Sequence, residues 1–316
     1  MGLKQKNTTE TRRHRDARRF KTTMTALIIH GHFYQPPREN PWTGEVELEP
    51  GAEPYHDWNE RIHAECYAAN AFARFIDRNG NVQIINNYEW LSFNFGPTLL
   101  SWLEQHHPQT YHRILAADRV SAAEHAGHGN AIAQAYGHAI LPLANEHDRE
   151  TQVVWGIADF RYRFGREPEA LWLPETACND ATMEVLIGHG MRYVILAPSQ
   201  AEAYRLPQTD EWIPNRDDQI DTGRPYRYQH PDGSGRSITV FFYNGAASRA
   251  IAFERVLASS RQFVELFKRA DNRGPMVNVA TDGETYGHHF KFGDLCLAHA
   301  VEIEAPEAGF RITNYG

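Results

Sequence analysis

The chain has 316 residues, of which 41% are hydrophobic and 12% aromatic, enough apolar material for one large α/β domain or two medium ones. Its formal net charge of −8 and pI near 6.1 exclude the basic face that nucleic-acid binders carry, and no apolar run approaches the roughly 20 residues of a membrane span. Three widely spaced cysteines, Cys66, Cys178 and Cys296, make neither a CxxC pair nor a disulfide framework, which points to a reducing, cytoplasmic setting.

The first 24 residues, MGLKQKNTTETRRHRDARRFKTTM, are basic and lack the apolar segment of a secretory signal. They read as a disordered tail, with Met24 as an alternative start, and residues 25–316 as the folded domain. From there, short apolar runs alternate with helical patterns. Strands are predicted at Ala26–His30, Val82–Asn86, Arg119–Ala122, Ala170–Leu173, Tyr193–Ala197, Ile238–Tyr243 and Met276–Thr281. Helices are predicted at Asn59–Ile76, Thr98–Glu104, Thr151–Phe164, Ala181–His189 and Phe253–Arg269. Such alternation is the signature of parallel strands joined by helical crossovers. Seven strands favour a barrel over an open sheet.

Polar residues cluster where these strands end: His30-Gly31-His32, Asn86-Asn87-Tyr88-Glu89-Trp90, Pro174-Glu175 and Asp282-Gly283-Glu284. In a parallel barrel all strand C-termini share one rim, so these groups converge in space. Two long loops, Phe33–Asn59 and Pro207–Gly235, are expected to be functional or disordered. The first carries Trp42, Tyr55 and Trp58, rings suited to lining a sugar site.

Four runs resemble glycoside hydrolase family 57, in that family's order: His30-Gly31-His32-Phe33-Tyr34-Gln35-Pro36-Pro37, Gln134-Ala135-Tyr136-Gly137-His138-Ala139-Ile140-Leu141-Pro142-Leu143, Trp172-Leu173-Pro174-Glu175, and Thr281-Asp282-Gly283-Glu284-Thr285-Tyr286-Gly287-His288-His289. The resemblance implies an incomplete seven-stranded parallel (β/α) barrel that acts on α-glucans or maltooligosaccharides by a retaining mechanism, without metal or other cofactor. A fifth region, usually helical and beyond the barrel, is not recognisable, so the chain is expected to lack C-terminal helical elements and to leave an apolar surface bare.

Glycosidic cleavage needs two carboxyls across the scissile bond. Glu175, behind Trp172 and Pro174, is the expected nucleophile, and Asp282 the general acid/base, with Gly283 permitting a tight turn beside it. Glu284 is the local rival for the acid/base role. The expected substrate-binding set is His32, Gln35, Trp172, His138, Glu89, Trp90, Glu284, Tyr286 and His288; His288 and His289, being adjacent, are expected to face different ways. Two alternatives compete. One is a metal-dependent, deacetylase-like hydrolase that draws ligands from His30, His32, His128, His288, His289 and Asp282. The other is a non-catalytic glycan-binding barrel. Hydrolysis, transfer and branching share one glycosyl-enzyme intermediate, so the sequence leaves them open together with the oligomeric state.

Overall fold

The computed structural model describes residues 24–207, 209–271 and 274–316; the basic segment before Met24 lies outside the described residues. In chain order the strands are β1 (Thr25–Phe33), β2 (Ala73–Ile76), β3 (Val82–Ile85), β4 (Ser92–Phe95), β5 (Ala133–Gln134), β6 (Leu171–Trp172), β7 (Tyr193–Leu196), β8 (Ala203–Tyr204), β9 (Ile213–Pro214), β10 (Tyr226–Gln229), β11 (Ser237–Phe242), β12 (Met276–Asp282) and β13 (Phe310–Ile312). Helices fall between them, so the fold is mixed α/β.

Strand β1 organises the sheet. It is buried from Leu27 to Phe33, as a parallel strand covered on both faces must be. It runs parallel to β12, from Ala26 opposite Met276 to His32 opposite Asp282. On its other side its upper half pairs in parallel with β4 and its first residues with β13. Parallel pairing continues by a single bridge from Phe93 to Ala131, through β5 to β6, by a second bridge from Ala170 to Tyr193, and through β7 to β11. No ladder joins β11 to β12 among the described residues. There the Asn278 side chain donates to the Phe242 and Thr222 carbonyls at 3.1 and 2.9 Å.

Alternation along β1 divides its side chains between two environments. Leu27, Ile29 and Phe33 join the large core beneath the helices. Ile28 faces the other way, into a smaller cluster with Ile132, Trp172, Tyr193, Ile195, Met276 and Tyr315. His30 and His32 continue that inner face upward, so the space enclosed by the strands turns from apolar to polar toward the strand C-termini. Tyr315 fills the apolar end and donates to Asn278 Oδ1 at 3.1 Å. Asn314 beside it is also buried.

The helices are set by local signals. Helix Glu146–Phe164 begins at Asn145, whose side chain accepts from the Asp148 amide, and stops at Gly165 with φ 67°. Its Gly156 lies so close to β5 that a Cβ would meet the Gln134 carbonyl oxygen. Four sequence expectations are corrected. Arg119–Ala122 lies inside helix Pro108–Glu124, whose buried Ile114, Ala117, Asp118 and Ser121 recur at helical spacing. Val82–Ile85 is a strand, but it pairs antiparallel with β2 in an exposed hairpin closed by the Asp77–Asn81 turn. The helix expected to reach Ile76 ends at Ala71 after a π turn at His63–Tyr67, and β2 follows. The helix expected at Phe253–Arg269 is a 3-10 turn at Arg255–Ala258 followed by a helix at Ser260–Ala270, and a separate helix, Gly245–Phe253, ends where the expected one begins. Strands β4 and β5 take the places that the misread runs had been given.

One ion pair anchors the approach to β5. Asp118, 1% exposed, accepts from Arg166 Nε and Nη2 at 2.9 and 2.8 Å and from the Ala131 amide at 2.8 Å. Replacing Asp118 with Ala removes the carboxylate partner of the guanidinium, which keeps its bonds to the Ala131 and Glu167 carbonyls, and frees that amide. A loss of about 3–5 kcal/mol in urea unfolding is expected; a loss below about 1 kcal/mol would remove the pair from this role.

Candidate active site

At the C-terminal ends of the parallel strands opens a cavity of about 770 Å³. His32 reaches it from the end of β1, and the β1–β12 register sets Asp282 beside His32. Trp172, at the end of β6, is 6% exposed and lies nearly parallel to both His30 and His32, with ring centroids 4.7 and 5.1 Å apart.

Glu175 follows β6 through Leu173-Pro174. The chain turns sharply here, with Thr176 N–H donating to the Leu173 carbonyl at 2.8 Å. Glu175 and Thr176 both take positive φ, 57° and 51°, a conformation that costs non-glycine residues on the order of 1–3 kcal/mol each and gathers at functional sites. The turn exposes the Glu175 carboxylate to the cavity. Asp282 is also open to the cavity, yet the surrounding protein strips enough water from it to push its pKa up. Nearby His289 opposes that shift, Glu175 reinforces it, and His138 opposes it more weakly.

Behind the cavity runs a chain of imidazoles. His32 Nε2 lies 2.9 Å from His138 Nε2, and His32 Nδ1 lies 2.8 Å from the Asn94 amide nitrogen. Asn94 Oδ1 is 3.1 Å from His30 Nε2, and His30 Nδ1 is 2.9 Å from the Ser92 hydroxyl. Burial pushes the pKa of His30 and of His32 down to about 3 and lowers that of His138, whose nearby Glu175 and Asp282 partly restore it. Tyr34 stacks on His138 at 3.9 Å.

Of the expected site residues, Glu175, Asp282, His32 and Trp172 line the cavity, and His138 stands directly behind His32. The others lie outside it. Gln35 is buried and accepts from Arg38 at 3.0 Å. Glu284 is buried and accepts from the Tyr67 hydroxyl at 2.6 Å and the Tyr34 amide at 3.3 Å. Tyr286 is enclosed in the core. His288 bonds Glu65, while its neighbour His289 faces Asp282. Glu89 and Trp90 sit in the turn between β3 and β4. In the first long loop Trp42 stands 93% exposed, away from the cavity. It is the second loop that reaches it, through Asp217 and Asp218. Tyr243, Arg249 and Phe253 complete that wall. Tyr243 ends a predicted strand and was findable by the same rim argument; Arg249 and Phe253 carry no signal in the sequence.

The ligand set of the metal-dependent alternative does not converge. His30 is held by Ser92 and Asn94, His128 by Glu169, and His288 by Glu65. Among the described residues, the donor cluster compact enough for an ion is Glu60, His63 and His107, elsewhere on the surface. Its two imidazoles stack face to face at 3.5 Å, which sets their lone pairs side by side instead of toward one point.

Residues 18–307 match the sequence profile of glycosyl hydrolase family 57. No curated protein sequence matches the chain. Among solved structures, the fold is similar to an exo-type maltose-forming amylase from Pyrococcus sp. ST04 (17% identity, TM-score 0.66, covering 92% of this chain and 47% of that one). It is similar also to a branching enzyme from Pyrococcus horikoshii (16%, 0.64, 92% and 69%) and a 4-alpha-glucanotransferase from Thermococcus litoralis (16%, 0.61, 92% and 39%). The chain thus spans less than half the length of two of these three.

Glu284 offers a test of its buried place. Desolvation raises its pKa from 4.5 to about 7, against the pull of the Tyr67 hydrogen bond. A raised carboxyl pKa favours folding fully below the unfolded value and loses that contribution as pH rises through the folded one. Glu284→Gln should therefore gain stability relative to the parent between about pH 5 and pH 8, by at most on the order of 3 kcal/mol. Melting both proteins at the two pH values checks this; an equal difference at both would contradict it.

Proposed function

We propose that this chain, which belongs to glycosyl hydrolase family 57, cleaves α-glucosidic bonds by double displacement, with Glu175 as nucleophile and Asp282 as general acid/base. The observation that carries the reading is that two carboxyls from separate strand ends open into one cavity, where burial and the nearby Glu175 hold Asp282 toward its acid form. Strands β12, β1, β4, β5, β6, β7 and β11 are read as one curved parallel sheet, an incomplete seven-stranded (β/α) barrel open between β11 and β12. The fold likeness to α-glucan enzymes supports an α-glucan or maltooligosaccharide substrate, and the free Cys66, Cys178 and Cys296 support a reducing, cytoplasmic location.

In the first step, Asp282 donates its proton to the departing glycosidic oxygen while the Glu175 carboxylate attacks the anomeric carbon, forming a glycosyl ester. Esterification removes the negative charge of Glu175, one of the two influences that hold the Asp282 pKa high. With its pKa lowered in this way Asp282 stays ionised in the intermediate, as its second task requires: it takes a proton from water or from a sugar hydroxyl that opens the ester. Water gives hydrolysis and a sugar gives transfer. Retention calls for the two carboxyls to stand about 5–5.5 Å apart.

Azide separates the two roles on an α-glucoside with a good leaving group. In Glu175→Ala, azide enters the vacated space and gives the β-glycosyl azide. In Asp282→Ala, turnover of an unactivated glucan falls by about 10²–10⁴-fold, and azide opens the intermediate from the other face to give the α-azide. Opposite anomers would mean the roles are reversed. Because the chemistry rests on carboxyls, turnover of maltoheptaose should persist in EDTA; loss on chelation and recovery with Zn²⁺ would sink this mechanism.

A further inference from the structure

Asn94 is wholly buried, on β4 between the strand that carries His30 and His32 and the one that carries Gln134. Its amide nitrogen points at two acceptors, His32 Nδ1 at 2.8 Å and Gln134 Oε1 at 2.7 Å, and its oxygen at His30 Nε2 at 3.1 Å. An amide nitrogen only donates. His32 Nδ1 is therefore bare, and the ring's proton sits on Nε2, directed at His138 Nε2. That nitrogen must accept in turn, which leaves the His138 proton on Nδ1. The same logic runs downward: His30 donates from Nε2 to Asn94 and accepts at Nδ1 from the Ser92 hydroxyl. With Gln134 Oε1 claimed by Asn94, Gln134 Nε2 points away, buried and without a hydrogen-bond partner.

We propose that Asn94 is a positioning residue that fixes the tautomer of His32, and through it that of His138, and keeps both rings neutral beside the two carboxyls. A doubly protonated His32 would set its Nδ1–H against the Asn94 N–H, so the amide opposes a cation there on geometric grounds, and burial acts in the same sense. The groups facing this pair are His30 from β1, Tyr34 above His138, and Glu175, Asp282 and His289 around the cavity. Of these, Asp282 has most to lose from a cation at His32, its partner in register, because positive charge would draw off the proton it must donate.

The catalytic consequence rests on the glycosidase reading above; the tautomer does not. Long-range ¹⁵N–¹H spectra of the ¹⁵N-histidine-labelled protein, with His32 assigned by its loss in a His32→Gln sample, should show His32 as the neutral Nε2–H form throughout pH 5–8. Protonation at Nδ1 in that range would overturn the proposal, whether or not the protein turns over glucan. Asn94→Asp then puts an acceptor where the donor was. His32 should gain a proton at Nδ1, and the alkaline limb of kcat on maltoheptaose should move acidward by about one pH unit, with kcat at neutral pH down on the order of tenfold and KM changed much less. Unchanged His32 shifts in a folded Asn94→Asp protein would overturn the assignment. A tautomer as proposed in a protein that cleaves no α-glucan would instead condemn the glycosidase reading.

Discussion

Seven consecutive residue pairs, from Ala26 with Met276 to His32 with Asp282, hold β1 against β12, and every feature of the site depends on that register. A slip of one residue would turn each side chain of a strand to the opposite face. Ile28, His30 and His32 would then leave the enclosed space, and Leu27 and Ile29 would enter it from the helix-covered core. The apolar residues low in the strand are buried on both faces and would tolerate the exchange, whereas His30 and His32 would enter the helix-covered core and lose their bonds to Ser92, Asn94 and His138. The polar groups near the rim therefore help to fix the register that places them.

That rim is an unfavourable place for charge and for backbone. Water is partly excluded, so the histidines are held neutral and Asp282 toward its acid form. The turns that present the functional groups adopt left-handed conformations at His138, Glu175, Thr176, Asp217 and Asp218, all non-glycine residues. Such a set persists only where its surroundings determine it. Here these are Pro174, the Leu173–Thr176 hydrogen bond and the stacked rings of Tyr34, His138, His32 and Trp172. Stability given up in the loops is recovered in the sheet beneath.

How much of this was legible in the sequence follows from the length scale of each signal. The long strands β1, β11 and β12 announce themselves by apolar runs, and the carboxyls at the ends of β6 and β12 follow from the rule that parallel strands share a rim. Strand β4 was missed because Ser92 and Asn94 interrupt its apolar pattern; both side chains face the histidines, so the residues that blur the strand are those that serve the site. Strand β5, at two residues, is shorter than any periodicity. Glu284, Tyr286 and His288 belong to the same motif as Asp282 but lie away from the cavity: after a tight turn successive side chains point apart, and His289 is the one that returns toward Asp282.

Gly283 shows how such a residue is read correctly for the wrong reason. A glycine beside an aspartate suggests a turn with positive φ, but Gly283 does not adopt one. What it lacks is a side chain. A Cβ there would lie 2.2 Å from the ring of Phe33, which stacks on Phe95 at 4.5 Å and packs against Tyr67 and Tyr88. The ring of the last β1 residue thus occupies the space beside the turn after β12, and only a glycine lets the two strand ends come this close. Phe33 has no part in the chemistry, yet its bulk and the missing Cβ together bring Asp282 level with His32. The acid is placed by contact between an aromatic ring and bare backbone, and the hydrogen-bonded network can do its work because that contact is already made.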